Sequence, residues 1–217
     1  MTKHFMRDLS QLADQLLNVC GSCEHAFAEA IGAILSRDAD RASMVVKGDQ
    51  VIDDMEVHLE EDALKILALH APVAGDLRFV VSAIKINNDL ERIADIAANI
   101  AKRAIDLNQL PATSAPEQFE LMAQKGQAML REAVQCLLKR DTDRARALME
   151  MDDEVDALML EILNGIELRV AAEPQAVASL LRWSNVARLV ERIADYATNI
   201  AEDVIYMEEG EIVRHGI

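Results

Sequence analysis

Apolar residues recur at every third or fourth position through most of the chain, and this spacing predicts long amphipathic helices. The first helix is expected to end near Ser36–Asp38. A second helix begins near Asp40 and is broken by Pro72 and Gly75, and a third begins near Asp76. The apolar positions that define the first helix are Phe5, Leu9, Leu12, Leu16, Val19, Cys23, Phe27, Ala30 and Ile34.

The same order of elements returns in the second half of the chain. Leu107–Pro116 holds two of the four prolines and little apolar periodicity, which is typical of a linker. After a break at Glu173–Pro174 the last helix is expected to run to about Glu209. The two helices predicted before that break cover Glu117–Lys139 and, from near Thr142, a stretch that ends at Ala172.

Each half therefore has the order helix, helix, break, helix. The simplest fold is all-α, with two tandem, pseudo-symmetric three-helix bundles built from six long helices. The expected domains are residues 1–106 and 117–217, joined by a linker over residues 107–116. The composition agrees, because aromatic residues make up only 3% of the chain and there are few helix breakers, with 8 Gly and 4 Pro.

Charge narrows the classes of partner. The formal net charge is −16, which repels a nucleic-acid backbone and favours cations or basic protein surfaces as partners. The longest stretches without a charged residue, Ile66–Gly75 and Leu107–Pro116, reach only 10 residues, whereas a membrane span needs about 20. We therefore expect a soluble, cytoplasmic protein that contacts membranes only through its partners.

Three cysteines are too few for a disulfide framework. Cys20 and Cys23 form a CxxC pair, but a redox site of the thioredoxin type needs a neighbouring βαβ pattern, and a structural zinc site needs a second pair of ligands. Because both thiols lie on the apolar stripe of the first helix, we predict that they are core residues.

A repeated motif carries the most specific signal. ERIADIAANIA at Glu91–Ala101 returns as ERIADYATNIA at Glu191–Ala201, with 9 of 11 positions identical. Such a match, 100 residues apart, indicates one unit used twice. Both copies space an acid, an acid and an amide by four residues, so all three oxygen-bearing side chains lie along one helix face. These residues are Glu91, Asp95 and Asn99, and Glu191, Asp195 and Asn199.

Counting from the predicted breaks places a second acidic pair opposite each motif. Asp95 lies 23 residues after Pro72 and Asp49 lies 23 before it, while Glu91 and Asp53 each lie 19 residues away. In an antiparallel hairpin, positions equally far from the turn lie at similar heights. Around Pro174 the same count, to within one residue, brings Asp152 opposite Asp195 and Asp156 opposite Glu191.

Four carboxylates and an amide in each half would repel one another unless something compensates them. A bound multivalent cation is the natural compensation, and all-oxygen ligands suit Mg²⁺, Ca²⁺, Mn²⁺ or iron. Bridging carboxylates favour a multinuclear cluster. The E-x-x-H pair of di-iron oxidase bundles does not occur in the sequence. The alternative is that both acidic faces are solvated surface, in a purely structural bundle that binds no metal.

The segments Ala71–Ile105 and Ser184–Tyr206 resemble the PhoU family of bacterial phosphate-transport accessory proteins. That resemblance implies two three-helix bundles, a homodimer, and multinuclear clusters of iron or another oxygen-preferring divalent cation held by the ten residues named above. It also implies a negative regulator of the phosphate-starvation response and of phosphate uptake. Such a regulator would be a cytoplasmic adaptor between the phosphate ABC transporter ATPase and its sensor histidine kinase, and not an enzyme.

One difference between the halves and one rival function follow from the sequence. The segment Pro72–Arg78 (PVAGDLR) has only a degraded counterpart after Pro174, so the halves are expected to contact different partners. The rival is a carboxylate-bridged, metal-dependent oxidase or hydrolase. Against it stand the lack of histidines at ligand spacing and the lack of a recognisable catalytic motif.

Overall fold

The computed structural model describes residues 3–213, which form helices joined by short turns and contain no strand. The all-α class predicted from the apolar spacing is confirmed. A 3₁₀ turn at Pro174–Ala176 precedes the last helix. The helices are α1 (Lys3–Ser36), α2 (Ala39–His70), α3 (Ala74–Asn108), α4 (Phe119–Lys139), α5 (Thr142–Met149), α6 (Asp152–Ala172) and α7 (Val177–Glu209).

The first bundle consists of α1, α2 and α3, and the second of α4, the α5–α6 pair and α7. The prediction of one continuous fifth helix is wrong, because the chain breaks at Glu150–Met151. The break gives α6 a new N-terminus at Asp152. Three acids occupy its first turn, where the helix dipole stabilises negative charge.

The turns that end α1 and α4 share a second repeated motif, R-D-x-D-R-A, at Arg37–Ala42 and Arg140–Ala145. Both leading arginines adopt a left-handed conformation, with φ of 55° and 54°. The aspartate that follows each of them caps the next helix, at 2.9 Å from the amide of Arg41 in one half and 3.0 Å from that of Arg144 in the other. The duplication therefore extends beyond the ERIAD motif into the loops.

The two halves meet along α3 and α7, which lie antiparallel. Near one end Lys85 Nζ lies 3.2 Å from Asp203 Oδ1, and near the other Arg103 Nε donates to Asn185 Oδ1 at 3.3 Å. Because the ERIAD repeat is offset by 100 residues, these two contacts join equivalent positions and are related by an internal two-fold axis. That axis passes near Ala94 and Ala194, midway between them.

Alanines line this crossing and let the two backbones approach closely. Each is at most 1% exposed, and the surrounding apolar core runs without interruption through both halves. We call this set the alanine seam, and it consists of Ala94, Ala97, Ala101, Ala104, Ala187, Ala194, Ala197 and Ala201. The division into domains at residues 107–116 stays a prediction, and α3 itself continues to Asn108.

The CxxC thiols lie in the core of the first bundle, as predicted. Cys20 and Cys23 are both 0% exposed, and Cys23 Sγ donates a hydrogen bond to the Leu90 carbonyl at 3.2 Å. Burial is the main reason that the pKa of Cys20 rises to about 12. Both side chains therefore stay neutral and act as small apolar residues.

Replacing Ala194 by Leu should destabilise the protein by about 1–3 kcal/mol, because the larger side chain would force α3 and α7 apart. The exposed Ala128 of α4 provides the control, since Ala128→Leu adds the same atoms without contacting the seam. Urea unfolding of both variants measures the difference. Equal stabilities would show that the seam does not depend on small residues.

Candidate metal centres

The accessible side chains of α3 form a narrow stripe. Over residues 90–101 every side chain is buried except those of Glu91, Arg92, Asp95 and Asn99. Over the matching residues 190–201 of α7, the side chains that are not buried are those of Glu191, Arg192, Asp195, Tyr196, Thr198 and Asn199. The doubled motif therefore presents its acids and amide on the one side of each helix that solvent reaches.

The first acidic cluster joins α2 to α3 and consists of Asp49, Asp53, Glu91, Asp95 and Asn99, all half-buried. Burial raises the pKa of Asp49, and repulsion from Asp53 and Asp95 raises it further. Burial also raises the pKa of Glu91, and repulsion from Asp95 and Asp53 adds to this effect. The carboxylates of the two helices thus face each other within electrostatic range, in the register counted from Pro72.

The second acidic cluster joins α6 to α7 and consists of Asp152, Asp156, Glu191, Asp195 and Asn199. Burial is the main reason that the pKa of Asp152 rises from 3.8 to about 6, and the charge of Asp195 is the next largest contribution. Burial followed by repulsion from Asp195 and Asp156 raises the pKa of Glu191. Oδ1 of Asp152 is buried and has no hydrogen-bond partner in the described part of the chain.

Nearby arginines compensate the two clusters unequally. In the first, Arg92 Nε lies 3.2 Å from Glu91 Oε2, and its Nη1 lies 3.4 Å from Asp95 Oδ2. Burial and then repulsion from Asp156 raise the pKa of Asp195, and the charge of Arg192, at the matching place in the second cluster, opposes this rise only in part. Arg192 forms no ion pair in residues 3–213. Ion pairing by the arginine of the repeated motif therefore distinguishes the first cluster from the second.

Two further acids belong to these clusters and were missed in the sequence. Glu56 on α2 adds its repulsion to Glu91, and its Oε1 accepts a hydrogen bond from Asn87 Nδ2 at 3.3 Å. Asp153 contributes to the raised pKa of Asp152. The signal for Glu56 was present, because it lies three residues after Asp53 on the same side of α2.

The chemistry of these side chains fits oxygen-preferring cations. Carboxylates and amides are the ligands that Mg²⁺, Ca²⁺ and Mn²⁺ take, and a cation would relieve both the mutual repulsion and the unpartnered Oδ1 of Asp152. In the rotamers of residues 3–213, however, no three His, Cys, Asp or Glu side chains are gathered closely enough to hold an ion. Side-chain rotation would have to complete each site, and the ligand roles of the ten residues stay a prediction.

Comparison with protein families places both acidic clusters inside a repeated unit. The model described as "PhoU domain" matches residues 16–104 and again residues 119–204. A protein of Aquifex aeolicus named "Phosphate-specific transport system accessory protein PhoU homolog" is 35% identical over 209 residues, which are 96% of this chain and 95% of that protein. A protein of the same name from Caulobacter vibrioides is 33% identical over 216 residues, which are 97% and 94% of the two chains.

Solved structures resemble the fold over nearly its full length. The crystal structure of PhoU from Pseudomonas aeruginosa superimposes with a TM-score of 0.90 and 31% identity, and the match covers 95% of this chain and 100% of that one. The phosphate transport system regulatory protein PhoU from Streptococcus pneumoniae gives 0.89 and 27%, over 96% and 99% of the chains. The arrangement of two helical hairpins around one central helix pair is therefore shared with solved relatives.

Replacing Asp152 by Asn should stabilise the metal-free protein at neutral pH. The pKa of Asp152 is higher in the folded state than its ordinary value, so the carboxyl favours folding at low pH, and this contribution is lost as the pH rises from 3.8 to about 6. We expect a gain of roughly 1 kcal/mol at pH 7, since partial solvation reduces the effect of the shift.

Asp143→Asn is the matched control, because it makes the same chemical change at an exposed side chain in the first turn of the preceding helix α5. Chemical unfolding between pH 3.5 and 8 compares the variants. Identical pH profiles of the unfolding free energy for Asp152→Asn and the native protein would show that the burial and repulsion of this carboxylate do not affect stability.

Divalent cations should raise the melting temperature of the native protein, because a ligand that binds the folded state alone stabilises it. The doubly substituted protein, Asp95→Ala with Asp195→Ala, should lose both this rise and its bound metal in elemental analysis. Glu161→Ala with Glu167→Ala removes two exposed acids of α6 and is the control. Unchanged metal content in the Asp95/Asp195 variant would contradict cation binding at the clusters.

Proposed function

This chain belongs to the PhoU family, and from that membership we propose that it serves a phosphate transport system as an accessory regulatory protein. The observation that carries the proposal is the match of both halves to the PhoU domain, together with the names of relatives that align over almost their whole length. No helix within residues 3–213 is long and apolar enough to cross a bilayer. Its contact with the transporter is accordingly assigned to protein surfaces.

The finer form of the proposal is a cytoplasmic adaptor between the phosphate ABC transporter ATPase and its sensor histidine kinase. In this role the protein, as a homodimer, represses the phosphate-starvation response and limits uptake when phosphate is plentiful. Cations bound to the two acidic clusters would neutralise the repulsion between facing helices and so hold each hairpin closed. The proposal assigns no catalytic turnover to the chain.

The turn between α2 and α3 is the surface that we propose for one of these partners. Leu69 is 78% exposed, Val73 72% and Leu77 41%, so large apolar side chains meet solvent around one tight turn. Ala71 and Ala74 in the same turn have φ of 44° and 49°, a strained conformation for alanine that fixes its shape. The second half has only a 3₁₀ turn at the matching place, which supports different partners for the two halves.

Replacing Val73 by Asp should abolish capture of the partner that binds this turn. The fold should survive, because Val73 is the N-cap of α3 without a side-chain hydrogen bond, and Asp is a favourable residue at an N-cap. Leu168→Asp on α6 is the control, since Leu168 is 74% exposed and lies in the other half. Pulldowns with the purified transporter ATPase and the cytoplasmic part of the kinase measure the effect.

A deletion strain tests the regulatory direction of the proposal. Without the protein, phosphatase expression should stay high in phosphate-rich medium, and the native gene should restore repression while the Val73→Asp gene should not. Normal repression in the deletion strain would overturn the adaptor role. Unchanged phosphate uptake by the same strain would overturn the accessory role in transport.

A further inference from the structure

Arg37 and Arg140 are equivalent residues with different surroundings. Each opens the R-D-x-D-R-A motif and has a left-handed φ. The guanidinium of Arg140 is paired, with Nη1 at 3.2 Å from Glu208 Oε1 and the Phe79 ring 5.4 Å away. Arg37 instead donates from Nη2 to the carbonyls of Leu107 and Leu110, at 2.8 and 3.3 Å. No carboxylate of residues 3–213 forms an ion pair with it.

Arg37 lines a cleft of about 340 Å³ between the end of α1, the end of α3 and the segment that connects the two halves. Trp183 of α7 lies in the same lining and is only 4% exposed. Its indole Nε1 is buried and has no hydrogen-bond acceptor among the described residues. An unsatisfied buried donor is unfavourable, so the site gains from a ligand that accepts this hydrogen bond.

The lining of this cleft contains no acid, which is unusual for a chain with a net charge of −16. Four other cavities of the structure each include at least one carboxylate. Thr113 and Ser114 add hydroxyl groups to the lining, and the remaining wall is apolar. The apolar wall is formed by Ile34, Leu35, Leu107, Ala112 and Ala115.

We propose that the cleft binds a small organic anion, whose phosphate or carboxylate group meets Arg37 and the indole N–H of Trp183. Guanidinium groups pair with either kind of oxyanion through charge-assisted hydrogen bonds. The cleft is larger than such a group alone, so an apolar part of the ligand lies against Ile34, Leu35 and Leu107. This site is separate from both acidic clusters, and it does not depend on the proposed function.

Trp183 is the only tryptophan of the chain, so its fluorescence reports directly on the cleft. Protein stripped of metal with a chelator is titrated at constant ionic strength, which excludes anions that bind through a cation. Phenyl phosphate and benzoate supply the two oxyanion groups on the same apolar ring, and benzyl alcohol supplies the ring without a charge. Calorimetry provides the affinity independently of fluorescence. We expect at least one of the two anions to bind about tenfold more tightly than the alcohol.

Arg37→Gln and Trp183→Phe should each weaken anion binding by about tenfold or more, as the loss of a charge-assisted or buried hydrogen bond implies. Ala112→Phe fills the cleft without removing a polar contact and should block binding even if Arg37→Gln unfolds. Arg140→Gln, at the equivalent position, should bind like the native protein. Absence of saturable binding by both anions would overturn the proposal, as would equal binding by the native protein and the cleft variants.

Discussion

The antiparallel contact between α3 and α7 is the constraint on which the rest of the structure depends. Each helix is the innermost helix of its own half, and each packs against the other through the alanine seam. Because small residues bring the backbones close, almost every side chain between residues 90 and 101 is buried. Within residues 90–101 only a narrow stripe remains accessible, and the acids of the motif lie on it. The alanines and isoleucines of the repeated motif are therefore buried, and its acids and amide form the accessible face.

This arrangement explains why like charges stay together. A surface loop could separate repelling carboxylates by moving, but the helices on both sides of each cluster are fixed by the continuous core. Burial, and then this repulsion, raise the pKa values of the carboxyl groups, and Asp152 has the largest rise in the two clusters. Asp152 is the first residue of α6. The break at Glu150–Met151 therefore places this carboxyl group at a helix N-terminus, where the helix dipole stabilises its negative charge. The first cluster has the ion pairs of Arg92 instead and tolerates a continuous α2.

Apolar periodicity and the two prolines were sufficient to predict every helix except the fifth, together with the register of the acids. Both depend on local geometry, since a helix turns by a fixed angle per residue and a hairpin aligns positions equally distant from its turn. The break within the fifth predicted helix was missed, because no Pro or Gly marks it in the sequence around Glu150–Met151. The R-D-x-D-R-A repeat was visible in the sequence, yet only the structure shows that it sets the ends of α1 and α4.

The role of Arg78 shows how the two halves diverged at the ends of the seam. Arg78 donates hydrogen bonds to the carbonyls of Met207 and Glu208 and so caps the C-terminus of α7, although it lies more than 120 residues away along the chain. Its counterpart in the second half is Ala178, which cannot do the same for α3. Arg37 takes over that function at the carbonyl of Leu107.

One substitution thus accounts for two differences between the halves. Because Arg78 already donates to the carbonyls at the end of α7, Arg140 pairs with the side chain of Glu208 instead and lies over the Phe79 ring. Because Ala178 leaves the last carbonyls of α3 uncapped, Arg37 donates to them. Within residues 3–213 it pairs with no carboxylate, and it lines the same cleft as the buried indole of Trp183. The internal symmetry is kept along the α3–α7 pair and its acidic stripes, and it is weakest at the ends of these two helices. Surfaces that distinguish one partner or ligand from another therefore belong at the ends of the α3–α7 pair, away from its centre.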